Sequence, residues 1–251
     1  MMNDSRQRSA GTRVPLYLTA PHPCAYLPGL TARTLFVDPL APMDGRLYQQ
    51  LLEQGFGRSG AHVYRPACEA CRRCTPVRVP VGRFAPNRSQ RRTARHNDDV
   101  SCIERPAVFD EEHYALYAAY VRHRHPGGSM SEDASPESYR DFLIRPWGGE
   151  TSLLELRLGG DLLGVAVTDR LPGALSAVYT FFDPEAERRA PGTLGVLRQI
   201  ELARRLDLPH LYLGYWIAEC GKMSYKDRFR PVQAWREGHW RELARGEPIT
   251  L

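Results

Sequence analysis

The sequence predicts an α/β (α+β) fold whose larger part is built on a mixed sheet. Residues 175–182 are rich in Val, Tyr, Thr and Phe and are predicted to form a strand. Thr193 is predicted to cap a helix over 193–205, because apolar residues recur on one side of that stretch. A second strand, 211–217, follows, and this order allows a right-handed crossover between two parallel strands. Ligands favour the carboxyl ends of such strands, where we expect the functional site.

The preceding segment completes the predicted sheet. Strands at 151–158 and 162–168 are joined by a Gly-Gly-Asp turn and form an antiparallel meander with the strand at 175. An opening strand at 100–104 and helices at 110–122 and 136–145 come first. Helices, a meander, a further helix and a last strand follow the order of an N-acetyltransferase-like (GNAT) fold. This likeness is an analogy of fold and does not establish chemistry.

Three regions are predicted along the chain. Residues 1–13 are polar, lack periodicity and are expected to be disordered. Residues 14–98 form a smaller, cysteine-containing N-terminal α/β region, and 99–251 form the N-acetyltransferase-like domain. The elements predicted within the N-terminal region are strands at 14–18, 33–37, 62–65 and 77–81 and a helix at 44–54.

Composition limits the class of protein. Apolar residues make up 42% and charged residues 25% of the 251, which is typical of a soluble globular protein. No apolar run reaches membrane-spanning length, and no secretory signal is expected at the N-terminus. Six clustered cysteines favour a metal site or a reduced, cytoplasmic setting. The net charge of +5 is a weak indication of an anionic partner.

The cysteine pattern predicts a metal centre. Cys68, Cys71 and Cys74 are separated by two residues each, a spacing that turns several thiolates toward one zinc or iron–sulfur site. Cys24, in a separate proline-rich loop, is the candidate for the fourth ligand. The alternative is a set of reduced thiols with no metal.

A basic segment suggests contact with RNA. Arginines accumulate between residues 83 and 97, where there is no acidic residue. If this segment is helical, it can present Arg88, Arg91, Arg92 and Arg95 to phosphates, which guanidinium groups pair bidentately. The alternative is an ordinary solvated helix.

Two further loops lie near the expected site. Arg189 to Leu194 occupies the position at which an acetyltransferase holds the pyrophosphate of coenzyme A, but the final small residue is replaced by leucine. We expect this bulk to crowd the phosphate-binding amides, so no coenzyme A is expected. The alternative is that the stretch is simply a helix cap. Lys222, Tyr225 and Lys226 follow the last strand and are suited to orient an anionic side chain or RNA phosphates, unless the loop is simply solvated.

Single residues carry weaker expectations. Among the histidines, His123 and His125 are the better placed, because they follow a predicted helix. Cys102 is predicted to be a small core residue. Cys220 lies near the expected site but has no base beside it in sequence, which favours a role other than that of a nucleophile.

Together these motifs resemble the arginyl-tRNA–protein transferase family, and most closely its bacterial branch, the aspartate/glutamate leucyltransferases. The segments that carry the resemblance are 21–36, 64–81, 84–92, 178–185, 192–200 and 212–231.

The resemblance implies an aminoacyltransferase. Leucine would pass from leucyl-tRNA to proteins with N-terminal Asp or Glu, creating a signal in the N-degron (N-end rule) degradation pathway. One departure concerns the metal site. Eukaryotic members have Cys-Gly-Tyr-Cys where this chain has Cys-Ala-Tyr-Leu at 24–27, so the second cysteine is absent.

Candidate roles follow from the expected reaction. Tyr179, Asp183 and Tyr225 are the candidates for proton handling or orientation, because the acceptor amine must lose a proton before attack. Lys222, Lys226 and Arg228 are the candidates for reading the acidic acceptor side chain or the tRNA end. The competing functions are arginyl transfer to the same acceptors, a coenzyme A-dependent N-acetyltransferase and a non-enzymatic zinc module that binds RNA.

Overall fold

The computed structural model describes residues 13–249. The strands are β1 Leu16–Leu18, β2 His22–Pro23, β3 Thr31–Ala32, β4 Thr34–Val37, β5 Gly57–Ser59, β6 His62–Pro66, β7 Thr75–Pro80, β8 Val100–Pro106, β9 Glu150–Leu158, β10 Asp161–Leu171, β11 Ala174–Phe182, β12 His210–Trp216, β13 Val232–Arg236 and β14 His239–Leu243. The helices are α1 Gly45–Glu53, α2 Arg88–His96, α3 Glu111–Arg124, α4 Ser129–Glu132, α5 Pro136–Tyr139, α6 Pro191–Arg205 and α7 Gly221–Ser224. Short 3₁₀ turns are Val81–Arg83, Pro184–Arg189 and Tyr225–Arg228, and a π-helical turn is Arg140–Ile144.

The architecture is mixed α/β around one large mixed sheet, as predicted. Its strand order is β14-β13-β7-β12-β11-β10-β9-β8. The parallel pair β11–β12 and the antiparallel β9–β10–β11 meander are confirmed, with strand ends within a few residues of those predicted.

The parallel pairing is short. It joins Ala174 to His210, Leu175 to Leu211 and Ser176 to Tyr212, and then stops. Beyond Ser176, β11 remains paired with β10, and β12 remains paired with β7. The carboxyl halves of β11 and β12 therefore leave the ladder between them open, next to the residues that follow each strand.

Helices cover both faces of the large sheet. Neighbouring residues of a strand point to opposite faces. On one face, Leu154 and Ala166 share a buried cluster with Ile200 of α6. On the other face, their neighbours Leu153 and Val165 share a cluster with α3. The site at the strand ends is thus bordered by α6 and α3 on opposite sides.

A second sheet, of order β1-β4-β6-β5, packs with α1 beside the large one. A fully buried ion pair joins the two sheets: Arg58 of β5 meets Asp169 of β10 through Nε and Nη2, at 2.5 Å each. The large sheet also takes β7 from the N-terminal part of the chain. The division drawn at 98–99 stays a prediction.

Several local expectations were wrong. Helix α6 begins at Pro191 and not at a Thr193 cap, because Ala190 adopts a left-handed conformation (φ 51°) that turns the chain into the helix earlier. The segment after Tyr139 continues as the π-helical turn and not as a regular α-helix. Cys102 is exposed on the edge strand β8 and is not a core residue.

Other expectations concern the ends of the chain and membranes. The predicted disorder of 1–13 falls almost entirely on residues outside the described part of the chain. Within residues 13–249, no helix has both the length and the apolar character needed to span a membrane.

Candidate functional site

The segment 217–231 crosses the carboxyl end of β12 and brings its side chains to the open edge. Trp216, at the end of β12, donates from Nε1 to the Ser224 carbonyl at 3.1 Å, which holds α7 against the strand. Phe229 is buried and its ring lies 6.2 Å from that of Phe84, on the α6 side of the sheet. The segment is therefore anchored at both ends, with the residues between them at the site.

Lys226 is buried within this segment. The residue is 6% exposed, and Nζ lies 2.5 Å from the Tyr215 carbonyl oxygen and 3.5 Å from Met223 Sδ. Burial lowers the pKa of Lys226 from 10.5 to about 7, against the opposing influence of the thiols of Cys220 and Cys74. A substantial fraction of this amine is therefore uncharged near neutral pH.

His125 connects two other side chains of the site. Its Nδ1 lies 2.9 Å from Lys222 Nζ, and its Nε2 lies 3.3 Å from the Tyr179 hydroxyl. Burial, together with the charges of Lys222 and Arg124, lowers the pKa of His125, so the ring is neutral at pH 7. A lysine ammonium only donates, so Nδ1 accepts and Nε2–H donates to Tyr179. The hydroxyl hydrogen of Tyr179 is then free for a further acceptor.

The phenols of the site stay protonated. Burial and the neighbouring Tyr120 and Tyr117 hydroxyls raise the pKa of Tyr179. Tyr225 is 36% exposed, yet desolvation of its hydroxyl and the nearby Tyr120 raise its pKa to about 12. Its ring lies 6.0 Å from Lys226 Nζ. Both Tyr179 and Tyr225 are therefore hydrogen-bond donors at neutral pH.

Asp183 has a different environment. Its carboxylate accepts from the Glu185 amide at 2.9 Å and caps the 3₁₀ turn that follows β11. Within residues 13–249, no hydrogen bond or ion pair joins it to Lys226, His125 or Tyr179. The structure thus gives Asp183 a capping contact but does not connect it to the rest of the predicted set.

The predicted basic helix is α2, and it is attached to the site segment. Asn87 and Gln90 form a capping box at its start, and both side-chain amides also donate to the Arg228 carbonyl, at 3.4 and 3.1 Å. The Arg228 side chain is exposed.

The four arginines of α2, Arg88, Arg91, Arg92 and Arg95, are also exposed. In the described part of the chain, none of the four pairs with an acidic side chain. Their charge is therefore available to an anionic partner.

The cysteines gather without forming a ligand set. Burial, together with the nearby thiols of Cys24, Cys71 and Cys68, raises the pKa of the Cys74 thiol to about 12. All four are free and partly buried. Among residues 13–249, however, no group of three or more His, Cys, Asp or Glu side chains is arranged to hold a metal ion.

The loop compared with a coenzyme A site has other partners. Arg189 is engaged by both carboxylate oxygens of Asp99, at 2.9 and 3.1 Å. Leu194 is fully buried with Leu156 and Leu163. The expectation that its bulk would crowd the loop amides was therefore wrong, because the side chain points into the core.

Two family models match most of the chain. The model described as the N terminus of arginine-tRNA-protein transferase matches residues 22–92, and that of its C terminus matches residues 112–236. The chain belongs to this family. The matched ranges include the cysteine cluster, the first half of α2 and the whole segment that carries Lys222 and Lys226.

Curated relatives within the family are similar over nearly their full length. An aspartate/glutamate leucyltransferase from Marinobacter nauticus is 52% identical, over 91% of this chain and 95% of its own. One from Chromohalobacter salexigens is 52% identical, over 90% and 91%. One from Chromobacterium violaceum is 46% identical, over 95% and 99%.

The likeness to solved structures is much weaker. The C-terminal domain of a putative lysylphosphatidylglycerol synthetase from Agrobacterium fabrum matches with a TM-score of 0.44 and 11% identity, over 68% of this chain and 52% of that one. Such a similarity is too low to carry a functional inference.

Arg124 belongs to the site but was not among the residues predicted from the sequence. It lies in the last turn of α3 and influences the pKa of His125, Tyr120 and Tyr225, so it is beside the cluster. The only sign of Arg124 in the sequence was the run of basic residues at the end of the predicted helix that became α3. However, α3 and the segment 217–231 are far apart along the chain, and only the fold brings them together.

Proposed function

We propose that this protein transfers leucine from leucyl-tRNA to proteins that begin with Asp or Glu, producing an N-degron for protein degradation. The observation that carries the proposal is that one segment buries Lys226 against β12 and places Lys222 beside His125, which contacts Tyr179. The chain is also about half identical to curated aspartate/glutamate leucyltransferases. Charged tRNA and its acceptor proteins are cytoplasmic, and so is the proposed reaction.

Lys226 is suited to take the proton of the acceptor amine. A protein α-amine has a pKa of about 8 and attacks only when neutral. Neutral Lys226 has two N–H hydrogens, directed at Tyr215 O and Met223 Sδ, so its lone pair is free. A base whose pKa lies near the working pH is the most effective. Lys226 is the acceptor of the amine's proton in this proposal.

The bonds change in one exchange. The amine nitrogen attacks the ester carbonyl carbon, the new amide C–N bond replaces the ester C–O bond, and the ribose hydroxyl leaves. Lys226 takes one proton from the amine and returns it to that ribose oxygen. No covalent enzyme intermediate is needed, because the aminoacyl ester is already activated.

Tyr179 is suited to stabilise the charge that develops on the carbonyl oxygen. Lys222 donates to His125, and His125 donates to the Tyr179 oxygen, which leaves the phenol hydrogen for the substrate. Such pre-positioned donors act on the transition state more than on the bound ester. Tyr225 presents a second protonated phenol at the same edge.

Recognition of the two substrates follows from the neighbours of this cluster. Lys222, Arg124 and Arg228 are exposed cations that can pair with the acidic side chain of the acceptor. Aromatic rings next to Tyr179, including Phe142 at 5.2 Å, provide an apolar wall for a leucine side chain. Arginine donation would instead need acidic residues at that wall.

We further propose that the large sheet is an N-acetyltransferase-like (GNAT) sheet that has exchanged its acyl donor. The parallel pair that opens at its carboxyl end supports this assignment. The Arg189–Asp99 pairing supports the change of donor, since a phosphate-binding arginine would need to be free. No coenzyme A is part of the proposed reaction.

A metal on Cys24, Cys68, Cys71 and Cys74 is a separate proposal. It is supported by the closeness of the first three thiols to Cys74, whose pKa they raise. Their present arrangement does not fit a ligand set, so no step of the reaction depends on it. Elemental analysis and absorption spectra of anaerobically purified protein test it. Colourless protein with bound zinc or brown protein with iron and sulfide supports the proposal, and four free thiols with no metal refute it.

A transfer assay tests the reaction. Labelled leucyl-, arginyl- and phenylalanyl-tRNA, and separately acetyl-CoA, are offered with peptides that begin with Asp, Glu, Asn or Lys. We expect label from leucyl-tRNA on the Asp and Glu peptides. Label from arginyl-tRNA alone would refute the donor, and label from acetyl-CoA alone would refute the function.

The basic helix is tested through the salt dependence of tRNA binding. Replacing Arg88, Arg91, Arg92 and Arg95 by Gln should flatten the log–log slope by roughly 0.7–0.9 for each phosphate that is no longer neutralised. The apparent affinity for the acceptor peptide should stay as in the wild type. An unchanged slope in the fourfold variant would refute the role of α2 in binding phosphates.

A further inference from the structure

A cleft of about 240 Å³ lies between α2 and α6, and the reaction described above does not use it. Its apolar lining comes from Phe84, Pro86, Ala94, Leu197 and Ile200. The side chains of Phe84, Leu197 and Ile200 also belong to the core, while Ala94 is partly exposed. A rigid apolar surface therefore faces solvent between the two helices.

Cations border this apolar surface. Arg91 Nη1 donates to the Pro86 carbonyl at 2.6 Å, and Arg204 Nη2 donates to the Phe84 carbonyl at 2.5 Å. Both guanidinium groups are thus held in place by backbone oxygens, which do not neutralise their charge. Arg95 is exposed one helical turn after Arg91. The border is therefore strongly positive and partly fixed.

The acidic residue of the lining does not cancel that charge. Glu201 accepts from Arg198 at 2.8 Å, so its carboxylate is already paired with an arginine outside the lining. Arg88 and Arg92 extend the positive surface along α2 but do not line the cleft. The helix thus has two arginine pairs of equal charge, one at the cleft and one away from it.

We propose that this cleft binds an unpaired base from the single-stranded acceptor end of the charged tRNA. The inference rests on the proposed function for the identity of the RNA. Proteins hold unpaired bases on apolar and guanidinium surfaces while cations contact the phosphates. An apolar floor between guanidinium groups meets both requirements, whereas an acidic peptide would use only the charges.

The position of the cleft agrees with this occupant. Gln90, at the start of α2, donates to the carbonyl of Arg228, two residues after Lys226. Arg91 and Arg95 follow on the same helix, which rises about 1.5 Å per residue. A strand whose last nucleotide lies at Lys226 can therefore continue along α2 toward the paired stem.

The test compares two uncharged tRNAs, one intact and one lacking its single-stranded 3′ end. Ala94→Leu fills the cleft without changing charge. We expect it to weaken binding of the intact tRNA about tenfold, the usual effect of removing one base-stacking interaction. It should bind the truncated tRNA as the wild type does, and its salt slope should equal that of the wild type.

A matched pair of charge variants gives an independent control. Arg91→Gln with Arg95→Gln and Arg88→Gln with Arg92→Gln each remove two charges from α2. Both should flatten the salt slope, but only the first pair should reduce the preference for intact over truncated tRNA. Circular dichroism and thermal unfolding show that each variant is folded.

Three results would overturn the inference. Ala94→Leu could bind both tRNAs as the wild type does, the two arginine pairs could have equal preferences, or Ala94→Leu could weaken only the binding of the acceptor peptide. The last would assign the cleft to the acceptor protein. Because the binding assay uses uncharged tRNA, failure of leucine transfer with tRNA preference retained would count against the proposed function and not against the cleft.

Discussion

Replacing Lys226 by Met should stabilise the protein at neutral pH while removing activity. The wild-type chain buries an amine whose charged form is disfavoured, and its pKa is lowered from 10.5 to about 7. Between these values the unfolded chain binds more protons than the folded one, so the wild-type stability rises with pH. Methionine has similar length and carries no charge, so the contribution of residue 226 to the pH dependence of stability should disappear.

The magnitude follows from the shift. A change from 10.5 to about 7 corresponds to about 4–5 kcal/mol of destabilisation of the folded wild type at pH 7 and below. This cost falls to about 2 kcal/mol at pH 9. Lys226→Met also leaves the Tyr215 carbonyl without its donor, which costs about 1–3 kcal/mol. The variant should therefore be more stable than the wild type at pH 6–7, with the difference vanishing near pH 9.

Urea denaturation at pH 6, 7.5 and 9 measures the stability of both proteins, and single-turnover leucine transfer measures the chemical step. We expect the rate of Lys226→Met to fall 10²–10⁴-fold, the usual contribution of a general base. Lys222→Met is the control for stability, because replacing an exposed lysine should change the free energy of unfolding by less than about 0.5 kcal/mol. A Lys226→Met protein that is less stable at pH 6, by an amount independent of pH, would refute the reasoning.

Three further outcomes are expected. Tyr179→Phe should lower the single-turnover rate about 10²–10³-fold with little change in tRNA affinity, and a rate near that of the wild type would exclude it as the oxyanion donor. His125→Ala should lower the rate as well, and adding it to Tyr179→Phe should cost little more, because both act through one hydroxyl; additive effects would contradict the relay. Asp169→Asn should lower the free energy of unfolding by about 3–5 kcal/mol in urea titrations, because it leaves the buried Arg58 charge without its partner; a decrease below about 1 kcal/mol would contradict that role.

Local pattern was sufficient for most of the large sheet. The predicted strands at 151–158, 162–168 and 175–182 lie within observed strands, because their alternation and the turns between them are encoded locally. The parallel pairing of the strands before and after α6 followed from connection rules. Structure that neighbouring residues determine among themselves was therefore predictable.

Features that depend on distant contacts were not predicted. Strands β13 and β14 form a hairpin over 232–243, and β13 joins the sheet by pairing with β7, far earlier in the chain. In this pairing Gln233 lies opposite Arg78. Leu194 was placed beside the loop amides because spacing gives no direction for a side chain, whereas packing with Leu156 decides it. The link of Lys222 to His125 likewise joins two elements that only the fold brings together.

The proposed reaction requires a large RNA and a protein N-terminus at the same edge, and the site segment contacts both sides of that edge. Lys222, near its start, contacts His125 at the end of α3, on one side of the sheet. Near the end of the segment, the backbone carbonyl of Arg228 accepts hydrogen bonds from the side chains of Asn87 and Gln90, at the start of α2 on the α6 side. Lys226 lies between these contacts, buried against β12. In the proposed reaction, the chemistry therefore lies between an RNA surface on one side and an acceptor surface on the other. A shift of α2 would act directly on the carbonyl two residues from the amine proposed as the general base.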